Sequence, residues 1–275
     1  MMKEILHHLQ DSTYLHGEFY GIPLYLTNHT LVIWVVSLLL VCLVGYVGWR
    51  FRRQVSPVPR GFVMNMIEAY VIYVRDELVY PIMGKETGKK WLGFILSLFL
   101  FLLGCNLWGL LPDLYIPGSK AFAEHKMKIS GGATGNLWIN GGLALLVLVL
   151  GMIYGIKNHG LLGYNKNYVP EGVPILLFPL LWPIEVFGTL IKHAVLAIRL
   201  FANMLAGHGV LFGVIGTAAI FVELLGNLGF GMIAAIAPVA LGLLIYMLEI
   251  LVAIIQAYVF SLLAVIFLDM QVSGH

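Results

Sequence analysis

The sequence predicts an all-α integral membrane protein, and three observations support that fold class. Of the 275 residues, 60% are hydrophobic and only 11% are charged, whereas a soluble domain carries about 25% charged residues. The mean hydropathy of +0.92 indicates more apolar surface than one water-soluble core can hide. The apolar residues also form runs of about twenty residues or more, which is the length of a helix that crosses a ~30 Å hydrocarbon core.

Charge and cysteine content exclude several other classes of protein. The net charge of +2 is small, and no basic run is interleaved with stacking aromatics, so we expect no nucleic-acid partner. Cys42 and Cys105 lie inside apolar runs without a neighbour at metal-ligand or redox-motif spacing, so we expect packed or lipid-facing thiols and no metal. The polar, His-containing residues 1–30 do not resemble a cleavable signal peptide.

Residues 1–30 are expected to form an external segment, and a first span follows over Leu31–Trp49. Eight of the sixteen basic residues lie between Arg50 and Lys90. By the positive-inside rule this stretch is cytoplasmic, which places the N-terminus outside.

Within the basic stretch, Phe62–Met83 reads as an amphipathic helix along the membrane surface, because four charged residues interrupt its apolar sequence. These residues are Glu68, Arg75, Asp76 and Glu77. A second span is expected over Trp91–Leu111. A Gly-rich polar connector then leads to a third span over Leu137–Ile156.

The last hundred residues contain two apolar runs of about forty residues each, Phe178–Ala219 and Phe230–Leu268. A helix of that length reaches roughly 60 Å, twice the thickness of the hydrocarbon core. Each run is either two short spans or one long, strongly tilted helix, and periodicity does not choose between them. The residues Glu223–Gly231 read as the turn between the runs.

Ionisable residues inside these two runs are the candidate functional residues. Arg199 lies well away from either end of its run, where an arginine costs about 3 kcal/mol or more on insertion scales. Glu185 and Lys192 precede it at seven-residue intervals and Asn203 follows it by four, so all four share one helical face within about 40°. The alternative for Arg199, Glu185 and Lys192 is that they snorkel to the membrane surface.

Two further candidates are titratable, and they lie on different helices. His208 follows Arg199 by nine residues, which places it on the opposite side of the helix and roughly 13 Å further along. On the second long helix, Glu249 and Gln256 share a face. If the two helices are antiparallel, Glu249 would be the partner of His208, and such a pair can relay protons near neutral pH. A structural histidine is the alternative.

The segment Arg199-Leu-Phe-Ala-Asn-Met-Leu-Ala-Gly-His208 resembles the motif of subunit a of F-type ATP synthases. Glu249, Gln256 and the following Ala-Tyr-Val-Phe also resemble that family, as does His7-His8-Leu9. Some bacterial members carry Glu and His at the positions of His208 and Glu249, the reciprocal arrangement. One departure lies near Asp113, where some members carry acidic residues and Gly109 fills one such place.

The resemblance implies a single membrane domain over residues 1–275, with five membrane-traversing helices and one amphipathic helix. The three earlier spans lie within 31–156, and a long, tilted helical hairpin occupies 178–268. The C-terminus would be cytoplasmic and the location the cell inner membrane. The partners implied are the carboxylate-bearing proteolipids of the rotor c-ring, peripheral-stalk subunit b and the remainder of the synthase.

The implied function is ion translocation by a non-catalytic stator subunit that needs no cofactor. Protons would pass to and from the rotor through two offset half-channels. The outer one would be lined by Asn203, His208, Glu249 and Gln256. The inner one would include Glu185 and Lys192, and Arg199 would couple flow to rotation and block a leak.

Two other functions fit the composition but lack their own signatures. A secondary ion-coupled transporter usually shows internal repeats with paired broken helices, and the sequence holds no second copy of the Arg199 segment. A membrane-embedded enzyme would need a nucleophile–base pair or a metal set such as His-Glu-x-x-His, and neither occurs.

Overall fold

The computed structural model describes residues 13–19, 22–53, 61–111, 114–115, 128–129, 132–166, 177–224 and 228–273. Most of these residues are helical, and five helical stretches are long and apolar enough to cross a membrane. The predicted class, an all-α membrane protein with five membrane-traversing helices, is confirmed. The motif residues His7 and His8, and also Asp113, lie outside the described part of the chain.

The described N-terminal residues form a small hairpin that the sequence analysis did not predict. Strands β1 (Thr13–Phe19) and β2 (Ile22–Thr27) pair in antiparallel fashion. Helix α1 then runs over Asn28–Arg53, slightly longer at both ends than the expected span. Its last turn is basic, and the guanidinium of Arg53 lies 4.3 Å from the ring centroid of Trp49.

The next helical stretch is interrupted where the surface helix was expected to end. Helix α2 (Phe62–Tyr73) passes through a wide π-helical turn (Val74–Val79) into helix α3 (Tyr80–Leu110). Gly84 breaks α3 with φ 69° and ψ 171°, a left-handed conformation that is cheap only for glycine. The expected amphipathic segment thus ends one residue before the observed break.

Three further helices complete the described part of the chain. A two-residue pair, β3 (Leu114–Tyr115) with β4 (Lys128–Ile129), and a 3₁₀ turn over Ala133–Gly135 precede helix α4. The bounds of the helices are Leu137–Lys166 for α4, Phe178–Leu224 for α5 and Leu228–Ser273 for α6.

Helices α5 and α6 decide between the two alternatives for the C-terminal runs. They are 47 and 46 residues long and continuous, so each run is one long helix and not two short spans. At ~1.5 Å per residue each is about 70 Å long, which fits a ~30 Å hydrocarbon core only with strong tilt or projection beyond it.

The chain divides into two compact units. The first comprises Met1–Ser37, Leu103–Asn136 and Leu200–Gln256. In it α5 and α6 run antiparallel, because Gly207 faces Glu249 and Gly231 faces Val222. This confirms the predicted helical hairpin.

The second unit comprises Leu38–Leu102, Leu137–Arg199 and Ala257–His275. Its core is apolar and includes several side chains with no exposed surface: Leu78, Ile95, Leu102, Phe260, Val265 and Leu268. Tyr70 Oη donates a hydrogen bond of 2.7 Å to the carbonyl of Leu96, and Trp91 packs edge-on against Tyr154 at 4.7 Å. The single domain over 1–275 remains a prediction.

Candidate functional site

A cavity of about 210 Å³ lies in the first unit between α5, α6 and the end of α3. Its polar lining consists of Asn106, Asn203, Glu249 and Gln256, and the other lining residues are apolar or glycine. The cavity is large enough for several water molecules. Three residues that the sequence analysis singled out are therefore brought together around one space.

Glu249 is the charged group at this cavity. Both of its carboxylate oxygens are shielded from solvent, and neither has a hydrogen-bond partner among the described side chains. Helix α5 approaches it closely, since a Cβ at Gly207 would lie 2.8 Å from Glu249 Oε1. An ionised carboxylate in such a place is costly, so this group needs a proton or a polar partner.

His208 directly follows Gly207 on α5 and was predicted to be that partner. The antiparallel arrangement on which the prediction depended is present in the first unit. The side chain of His208, however, is outside the part of the chain that the structure describes. The pairing of His208 with Glu249 therefore stays a prediction.

Asn106 belongs to the cavity but was missed in the sequence analysis. Its side chain is buried, and Asn106 Nδ2 donates a hydrogen bond of 3.2 Å to the carbonyl of Ala253. The sequence feature that could have identified Asn106 is a polar amide inside an otherwise apolar span. Burying an amide costs free energy unless it has a hydrogen-bond partner. This bond fixes α3 to α6 one turn beyond Glu249.

Tyr246 makes a second polar link of the same kind. Its hydroxyl donates a hydrogen bond of 3.2 Å to the carbonyl of Leu110, one of the last carbonyls of α3, which have no partner within the helix. Tyr246 precedes Glu249 by three residues and so lies on the same side of α6. The end of α3 is thus held against α6 at both ends of the cavity.

The remaining predicted residues lie in the second unit. Glu185 Oε1 and Lys192 Nζ are 3.7 Å apart in a partly exposed ion pair. Arg199 is exposed on the surface of this chain, and Val195, one turn earlier, is 46% exposed. The arginine therefore stands on an apolar surface of the helix and not in the protein interior.

His193 was also missed, and its setting is structural. It is buried, its Nδ1 donates a 2.8 Å hydrogen bond to the carbonyl of Thr189, and its ring stacks on Phe267 at 4.4 Å. The ring joins α5 to α6 within the second unit. Among the described residues, no group of three or more His, Cys, Asp or Glu side chains could hold a metal ion.

Comparison with known proteins gives a consistent result. A family model described as ATP synthase A chain matches residues 30–269, which includes every described helix except the ends of the first and last.

Individual relatives carry the same name. The chain is 37% identical over 255 residues to "ATP synthase subunit a" of Myxococcus xanthus, covering 92% of this chain and 75% of that protein. Identity to "ATP synthase subunit a" of Maricaulis maris is 33%, with 94% and 93% covered. For the protein of the same name from Chloroherpeton thalassium it is 31%, with 93% and 69% covered.

Proposed function

This chain belongs to the ATP synthase A chain family, and from that premise we propose how it moves ions. Membership implies a proton-translocating stator subunit of an F-type ATP synthase. Our proposal is that two offset half-channels in this subunit deliver protons to rotor carboxylates and receive them again. The chain itself catalyses no chemical reaction in this scheme.

The observation that carries the proposal is the polar cavity with its solvent-shielded carboxylate. Glu249 shares the space with Asn203, Gln256 and Asn106, and amide side chains can hold water molecules in line between titratable groups. The protonated form of Glu249 is neutral and costs less free energy in this cavity than the ionised form. Glu249 can therefore hold a proton between two transfers. We assign these residues, with His208, to the outer half-channel.

Arg199 supplies the second part of the mechanism. Arg199 is a cation on the exposed face of α5, and a rotor carboxylate that passes along this face would come close to its guanidinium group. Beside Arg199 the ionised form of the rotor carboxylate is favoured, so the carboxylate releases its proton there. Away from Arg199 the carboxylate takes up a proton and can turn through lipid as a neutral group.

The ion pair of Glu185 and Lys192 belongs, in this scheme, to the inner half-channel. It lies on the N-terminal half of α5, which the proposed orientation places toward the cytoplasm. Each proton that crosses the membrane gains ~2.3 kcal/mol per 100 mV, and the rotor sums several crossings per ATP. The proposed partners are the rotor c-ring and peripheral-stalk subunit b.

Arg199→Ala tests the proposal in inverted membrane vesicles, where ATP-driven acidification reports pumping. We expect the assembled mutant complex to lose pumping and to let an imposed proton gradient decay faster than wild type does. Arg75→Ala is the matched control, since Arg75 is paired with its neighbour Asp76 at 2.7 Å and has no part in the mechanism. Assembly is checked on the same membranes by copurification of the other subunits.

Pumping at the wild-type rate by assembled Arg199→Ala complexes would contradict the mechanism while leaving family membership intact. If Arg75→Ala lost pumping to the same extent, the effect of Arg199→Ala would not be specific to Arg199.

A further inference from the structure

Two glycines bring a loop into direct backbone contact with α3 in the first unit. A Cβ at Gly109 would lie 2.8 Å from the Cα of Gly132, and a Cβ at Gly132 would lie 3.1 Å from the Cα of Gly109. Gly132 begins the short turn Gly132–Gly135, hereafter the Gly132 turn. A side chain at Gly109 would force the two backbones apart, whereas one at Gly132 would make a tight backbone contact and a clash with Met204.

Met204 of α5 fills the space between these glycines. Its methyl group occupies the place where a Cβ at either glycine would lie. Its sulfur accepts a 3.1 Å hydrogen bond from Thr134 Oγ1, and Thr134 is only 1% exposed. The methyl group of Met204 therefore lies against Gly109 and Gly132, and its sulfur is bound by Thr134 of the Gly132 turn.

The same side chain lines the cavity that contains Glu249. Met204 thus has the cavity on one side and the Gly132 turn on the other. Two other lining residues, Val210 and Leu248, are more than half exposed, at 52% and 59%. The Gly132 turn therefore covers the cavity wall at Met204, whereas Val210 and Leu248 lie at the surface of the chain.

We propose that Met204 is a positioning residue that seals the cavity on the side of the Gly132 turn. It confines water to the route that passes Val210 and Leu248 and fixes one wall of the cavity that contains Glu249. The Gly109–Gly132 contact and Thr134 hold Met204 in that position. This inference rests on the proposed function, because it assigns Met204 a role in the outer half-channel.

The geometry predicts that removing the Met204 side chain restores pumping in one glycine variant and not in the other. At Gly132 the obstacle to a methyl group is mainly Met204, whose sulfur would lie 2.6 Å away and whose chain is flexible. At Gly109 the obstacle includes the backbone of Gly132, which cannot move aside. Removing the Met204 side chain should therefore relieve Gly132→Ala, whose new methyl group refills part of the vacated space, but should not relieve Gly109→Ala.

The experiment measures ATP-driven acidification by inverted vesicles that carry matched amounts of assembled complex. We expect Met204→Ala and Gly132→Ala each to lower the rate by about tenfold, since small displacements in a positioned site cost up to ~100-fold. The double variant should pump faster than either single variant. Gly109→Ala combined with Met204→Ala should stay as slow as Gly109→Ala alone, and Met204→Leu, which keeps the volume, should pump within about twofold of wild type.

Wild-type pumping by Met204→Ala, or a double variant that pumps no faster than the faster of its two parents, would overturn the sealing role. If Gly132→Ala does not assemble, Met204→Ala is compared with Met204→Leu, because only the alanine empties the space beside the Gly132 turn. We expect the loss of pumping in Met204→Ala alone, and equal rates in the two variants would overturn the proposal. Arg199→Ala on the same membranes reports the proposed function separately: if that proposal fails, Arg199→Ala pumps normally whatever the Met204 variants do.

Discussion

Glu249 combines two properties at the scale of a single residue. It is ionisable, and its oxygens are shielded from solvent within a small polar cavity. Glu249→Gln keeps the shape of the side chain but cannot take up or release a proton. Because positioned acid–base groups contribute roughly 10²- to 10⁴-fold to proton transfer, we expect ATP-driven pumping to fall by about 100-fold with assembly intact.

Glu223→Gln is the matched control for that variant. Glu223 is exposed near the end of α5, and neutralising it should leave the pumping rate within about twofold, as for most surface changes. Equal rates for Glu249→Gln and wild type would show that the carboxylate does not carry protons.

Part of the cavity could be predicted from residue spacing alone. Glu249 and Gln256 are seven residues apart and so share a helical face, and both line the cavity. Asn106 and Tyr246 were missed because their importance lies in hydrogen bonds to carbonyls of other helices. Spacing along one helix carries no information about which backbone a side chain reaches across a helix pair.

At the scale of the helix, continuity was the property that periodicity could not predict. An apolar run of forty residues has the same pattern whether it crosses once or twice, since both are helical throughout. The structure joins each run into one helix, with Pro183 inside α5 and Pro238 inside α6. The break at Gly84 was easier to place, because charge and glycine content change there.

The contact between α5 and α6 also decides where Glu249 lies. At Gly207 the two helices are so close that Gly207→Ala would push the new methyl group against the Glu249 carboxylate. We expect this variant to displace the carboxylate and to lower ATP-driven pumping by about tenfold, since a misplacement of about 1 Å can cost more than that.

Gly213→Ala provides the matched control on the same helix. A Cβ at Gly213 meets no atom within 4 Å, and alanine favours helix by roughly 0.5–1 kcal/mol over glycine. Pumping should therefore be unchanged in this variant. If both variants pumped equally well, close approach at Gly207 would have no functional role.

At the scale of the whole molecule, the exposed surface is strongly apolar, as expected for a membrane-embedded subunit of a larger complex. Trp34, Leu38 and Leu244 are each more than 60% exposed, which a soluble protein would not tolerate in such numbers. Length and hydropathy predicted this surface well. They could not predict which part of it faces lipid and which part would face the proposed rotor, because both environments favour the same apolar side chains.

Orientation in the membrane is the last property of the whole chain that follows from charge. The described residues include five helices long and apolar enough to cross a membrane, and the basic residues between Arg50 and Lys90 favour the cytoplasm for that stretch. We therefore predict that the hairpin of β1 and β2 lies outside. In a background with Cys42→Ser and Cys105→Ser, we expect Gly17→Cys to react with a membrane-impermeant maleimide in spheroplasts. Lys85→Cys should react only in inverted vesicles.

Permeabilised membranes serve as the control, because both cysteines should react there to the same extent. The reverse pattern would place Lys85 outside and the hairpin of β1 and β2 inside. The proposed outer and inner half-channels would then exchange sides, since the Glu185–Lys192 pair lies on the N-terminal half of α5 and the residues of α5 that line the cavity, Asn203 to Val210, lie on its C-terminal half. Protons would reach Glu249 from the cytoplasm, although the chemistry at the cavity would be unchanged.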